Sequence, residues 1–138
     1  MPRYAAERVL LAPIGDVWSF LAEPYHLSDW WPGITGVEPD RRGLAPGARW
    51  KVQGPAYLRK PDAPALLLVR EVAPLERLAF ELPRSRTLVE VELRATDADR
   101  TRVVVAVSGR FLFGPRSGLA KEALGRLYDL VQTAADLS

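Results

Sequence analysis

Proton transfer has one natural candidate in this chain: His26, the only histidine among 138 residues. An imidazole titrates near neutral pH and can act as acid or base. Asp29, three residues later, could orient it on one helical face. The plainer reading is a surface or packed histidine beside a capping or solvated carboxylate. Glu90 and Glu92 stand two apart, hence on one strand face, where paired carboxylates can share acid and base roles. Leu88 and Arg94 fall on the same face and valines on the other, so these glutamates read as solvated, with Arg102 as cross-strand neighbour. Arg70 interrupts an otherwise apolar run. It either holds a carboxylate or enolate oxygen inside a cavity or marks the outer face of its strand, and the outer face is the simpler assignment. These residues fix no catalytic group, and whether the chain is an enzyme stays open.

Other chemistry is poorly supplied. With no cysteine and one histidine, there is no thiolate nucleophile and no thiolate metal site, and no loop has calcium or magnesium spacing. No metal is expected, nor any cofactor, since neither a phosphate-binding glycine loop nor a dinucleotide fingerprint occurs. No Gly-x-Ser-x-Gly phrase marks a serine nucleophile. Apolar recognition is better served. Trp18, Trp30, Trp31, Trp50, Tyr57, Phe80 and Tyr128 could line a pocket for an organic ligand, and each could equally be ordinary core. His26 and Arg70 are the polar groups such a cavity could use.

The elements that would position these residues are legible from periodicity. Ala120, Leu124, Leu127, Val131 and Ala134 form one stripe at about 100° per residue, within a stretch from Arg116 to Ser138. Ala123, Leu130, Leu119 and Leu137 widen it on one side, and Ala135 and Tyr128 on the other. Pro115, Ser117 and Gly118 supply start signals for a helix of roughly 20 residues, about 30 Å long. So broad an apolar face needs a sheet to lie on. Arg3 to Leu11 reads as a first strand. Ile14, Val17, Trp18 and Leu21 then repeat as a short helix opened by Pro13 and stopped before Pro24. Tyr25 to Trp31 could add a further helical turn, broken at Pro32-Gly33. Strands are expected at Ile34 to Glu38, Ala48 to Gln53, Ala65 to Val72 and Arg77 to Leu82, with a loop from Gly54 to Pro64. In the last hairpin Val89, Val91 and Leu93 face Val103, Val105 and Val107. Both sets are odd-numbered, so opposed residues sum to an even number and the loop should hold three or five residues.

Composition bounds the rest. The chain is long enough for one domain, 1–138, and 48% hydrophobic residues argue against disorder. Nothing approaches the roughly 20 apolar residues of a membrane span, and the first dozen residues lack the apolar run of a signal peptide, so a soluble, cytoplasmic protein is expected. The formal charge is +2 and the basic residues are scattered, which argues against nucleic acid as partner. Sixteen arginines against three lysines, with no asparagine, fit either heat adaptation or a GC-rich genome.

The order strand, two short helices, consecutive strands and one long helix favours an antiparallel sheet in an α+β domain. That order resembles the START/SRPBCC superfamily, or helix-grip fold, and in particular its bacterial polyketide cyclase/dehydrase-like members. The phrases that carry the likeness are Ala12-Pro13-Ile14 with Val17-Trp18, then Leu27-Ser28-Asp29-Trp30-Trp31-Pro32-Gly33-Ile34, and Val72-Ala73-Pro74 with Arg77-Leu78-Ala79-Phe80. The resemblance implies a curved seven-stranded antiparallel sheet wrapped round the C-terminal helix, two short helices after the first strand, and a ligand cavity between sheet and helix. It implies as partner a small hydrophobic ligand such as a lipid, isoprenoid or polyketide, bound for transport or sequestration. Two alternatives stand beside it: a cyclase or dehydratase working with acid and base groups of the cavity, and a co-chaperone-like interaction module with a collapsed cavity. A homodimer is compatible with the sequence.

Overall fold

The computed structural model describes residues 3–54, 65–83, 86–109 and 118–137, with side chains as far as 134. Strand β1 (Arg3–Leu10) leads to helix α1 (Ile14–Ala22), a 3-10 turn at Pro24–His26 and the single turn of α2 (Leu27–Trp30). Strands β2 (Gly36–Glu38), β3 (Arg49–Gln53), β4 (Ala65–Ala73), β5 (Arg77–Leu82), β6 (Thr87–Asp97) and β7 (Arg100–Gly109) follow, and α3 (Leu119–Leu137) comes after them. All strand pairs are antiparallel, in the spatial order β1-β7-β6-β5-β4-β3-β2. The sheet curves round α3, and the α+β helix-grip architecture expected from the sequence is the one observed.

Alternation decides which face is buried. Val89, Val91, Val103, Val105 and Val107 are wholly buried on the inner face, beside Leu67, Val69, Leu78 and Phe80. Ala120, Ala123, Leu124, Leu127 and Val131 of α3 close over them. Ala134, which the periodicity puts in the apolar stripe, is exposed. Pro115 and Ser117, the expected start signals, lie outside the described residues.

Two bulges adjust the sheet. In the β6–β7 hairpin Val89↔Val107, Val91↔Val105 and Leu93↔Val103 oppose each other, with the even sums the pattern demands. Five residues, Thr96 to Arg100, lie between the last pair in this register, Ala95↔Thr101. Asp97 then pairs with Arg100, so the turn proper is only Ala98-Asp99, and a shift at Thr96 restores the parity. The second shift falls between Val69 and Glu71 of β4. It places Arg70 and Glu71, adjacent in sequence, both exposed on the outer face.

The entry into α1 is tied to β7, the strand beside β1. Thr101, fully buried, donates its hydroxyl to the carbonyl of Ala12 at 2.8 Å. Across the short helices, Trp50 donates its indole N–H to the carbonyl of Gly43 at 2.8 Å and pins the β2–β3 connection.

Candidate functional site

The resemblance implies a cavity between the sheet and α3; the interior gap among the described residues lies instead where α1, the 3-10 turn and α2 meet the sheet, and no residue of α3 lines it. Trp30, Trp31 and Phe80 pack edge to face there, with centroids 5.6 to 6.5 Å apart. Trp30, Trp31, Trp50 and Phe80 are all buried. The gap between them is small, about 10 Å³, and is bounded by Leu21, Pro24, Leu27, Trp30, Leu44, Trp50, Val69, Leu78 and Phe80, with Glu23 at its rim. A site of that size is at the limit for one water molecule. Glu23 is the one ionisable residue on it.

The sequence-predicted residues distribute unevenly round this gap. Trp50 and Phe80 line it; Trp31 stands one ring behind, against Trp30 and Phe80. Trp18 is half-buried and packs on the edge of the core. Tyr57 lies outside the described residues. Tyr128 is half-buried on α3, where the guanidinium of Arg8 sits 3.6 Å from its ring centroid, so one ring face stacks with β1. His26 is half-buried, stacked on Phe20 at 4.1 Å, and its Nδ1 lies 2.8 Å from the Phe20 carbonyl. That bond takes the place of the Asp29 orientation allowed by the sequence. Asp29 itself is exposed.

Arg70 belongs to the other side of the sheet. The bulge turns it outward, and its Nε donates to Glu81 at 2.7 Å. As an interior cavity group it is therefore corrected. The same face corrects the neighbour expected for Glu90 and Glu92. Arg77, not Arg102, bridges both of them and also donates to Glu71 through Nε at 2.8 Å, while Arg102 pairs with Glu7. Register explains this, since Arg77 of β5 stands directly opposite Glu92, and Ala79 opposite Glu90 leaves room for the guanidinium. The Glu71 hydrogen bond, and then Glu90, hold the Arg77 pKa above its ordinary value against the cost of burial.

A wider opening lies on this outer face. It is a groove of about 630 Å³ over β4 to β7, lined by Arg70, Glu71, Arg77, Ala79, Glu81, Arg86, Leu88, Glu90, Ser108 and Gly109. Sequence reading missed it. The signal available was the run of small or medium outward residues, Ala79, Leu88 and Ser108, on strands that pair side by side.

Among the described residues no group of three or more histidines, cysteines, aspartates or glutamates could hold a metal ion. No helix among them is long and apolar enough to cross a membrane.

The model of the activator of Hsp90 ATPase homolog 1-like protein family matches residues 11–134. The chain belongs to that family. The match spans α1, the aromatic gap, the outer groove and most of α3. No curated protein matches the sequence at a significant level. Solved structures of similar fold include a START superfamily protein from Mycobacterium smegmatis, 16% identical, with a TM-score of 0.67 and 99% of each chain covered. An uncharacterised protein from Bacillus thuringiensis is 12% identical at TM-score 0.71, covering 95% of this chain and 99% of the other. A protein from Deinococcus radiodurans is 23% identical at TM-score 0.63, covering 94% and 95%. At these identities the likeness is one of fold, the helix-grip arrangement of a curved sheet round a long helix.

Proposed function

We propose that the chain binds a small hydrophobic ligand beneath its short helices. The observation that carries this reading is the apolar gap walled by Trp30, Trp50 and Phe80 and roofed by the 3-10 turn and α2. Its roof is only seven residues of helix, Pro24–Trp30. Ligand entry requires that roof to lift, because the closed gap holds no more than a water. Apolar burial then supplies affinity at roughly 25 cal/mol per Å², less the ordering cost. Glu23 at the rim favours a ligand with a hydroxyl or amine at its exposed end. Fatty acids, isoprenoids and aromatic polyketides are the classes to test by thermal shift and tryptophan quenching. The expected outcome is a Tm rise of several degrees with at least one class, reduced in Trp50→Leu. No shift and no quenching with any class would overturn the reading.

The closed gap and the family's description favour a second reading, a binding module for an Hsp90-type chaperone. Under it the interior stays packed and the surface carries the function. Its measure is the steady-state ATPase rate of an Hsp90-type chaperone with and without the chain, where stimulation supports it and an unchanged rate removes it.

A further inference from the structure

We propose that the outer groove of the sheet binds a small organic molecule with a carboxylate at one end, an apolar middle and an ammonium at the other. This site lies on the opposite face from the aromatic gap and does not depend on the ligand proposed there. Its volume, about 630 Å³, falls in the range of pockets that hold small organic ligands.

The groove's charges are not evenly cancelled. Arg70 is matched by Glu81. Arg77 serves both Glu71 and Glu90 of the groove, and Glu92 outside it, so that end of the groove carries one carboxylate charge in excess. Arg86 lies at the other end, in the turn before β6, and has no carboxylate partner among the described residues. The hydroxyl of Ser108 also has no partner among them. Three residue steps along β6 lead from Thr87, next to Arg86, to Glu90, which is about 10 Å at about 3.3 Å each. Between the two ends the groove presents Ala79, Leu88 and Gly109, beside the mutually paired Arg70 and Glu81. A guanidinium binds a carboxylate through two parallel hydrogen bonds, and an ammonium is drawn to an excess of carboxylates. Arg86 is held at φ 50, a conformation that glycine adopts without strain, so Arg86→Gly removes the charge while leaving the turn intact.

The probes are aminooctanoate, octanoate and octanedioate, followed by titration calorimetry. Aminooctanoate is expected to bind best, octanoate at least about threefold more weakly, and octanedioate weakest because its second carboxylate meets Glu71 and Glu90. Arg86→Gly should lower aminooctanoate affinity about tenfold or more, with the circular dichroism spectrum unchanged, and Arg86→Lys should restore part of it. Trp50→Leu, on the other face, should leave it unchanged. Absence of binding at about 10 mM, equal affinity for the three probes, or full affinity in Arg86→Gly would overturn the proposal.

Discussion

A methyl group added at Gly54 would lie 1.8 Å from the carbonyl oxygen of Gly33 and 2.9 Å from its carbon. Backbone, not a flexible side chain, is in the way, and Gly33 itself sits at φ 89. Gly54→Ala is therefore expected to destabilise the fold by about 3 kcal/mol or more, read from the urea midpoint. Thr101→Val keeps the shape and leaves the buried Ala12 carbonyl without its donor, and should cost about 1–3 kcal/mol. Asp40 supplies the pH test. Its carboxylate accepts the backbone N–H of Arg49 at 2.9 Å and that of Arg42 at 3.0 Å. These bonds, Arg49 first, hold its pKa below the ordinary value. A depressed folded pKa stabilises above the unfolded value of about 3.9, and that contribution is lost as pH falls through the folded one. Asp40→Asn should thus have a lower urea midpoint than the parent at neutral pH, and the difference should shrink as the pH falls below the unfolded carboxylate value and through the lowered folded one.

Arg77 joins three strands, reaching Glu71 of β4 and Glu90 and Glu92 of β6 from β5. Its raised pKa means that its contribution is present throughout the ordinary pH range. Replacing it with methionine sets three carboxylates together without a counter-charge. The loss should be about 1 kcal/mol or more at neutral pH, which chemical denaturation of the two proteins would measure. This cluster was not legible in the sequence, because its membership depends on the register between β4, β5 and β6 and on a bulge at Arg70. The valine face of β6 and β7 was legible, since a period of two needs no knowledge of neighbours. So was the buried face of α3 up to Val131, whereas the exposure of Ala134 was not. At the candidate site the aromatic types were readable, but their packing into a gap of about 10 Å³ was not, because side-chain volume alone does not tell a full pocket from an empty one.

The molecule as a whole is closed by contacts distant in sequence. β1 pairs along its full length with β7, from Arg3↔Ser108 to Leu10↔Thr101, and α3 lies against both strands. Arg8 over the ring of Tyr128 fastens β1 to α3, and Tyr128→Leu should cost about 0.5–1 kcal/mol with the sheet intact. Such non-local pairing places refolding in the millisecond-to-second range, to be measured by stopped-flow fluorescence. The same arrangement bears on synthesis. A ribosome delivers all seven strands before the residues of α3, so Val103, Val105, Val107 and their neighbours emerge with no cover for their apolar side. Until Leu124 and Leu127 arrive, a nascent chain of this design is a sticky half-shell, and shielding by a trigger-type chaperone would matter more during translation than at any later time.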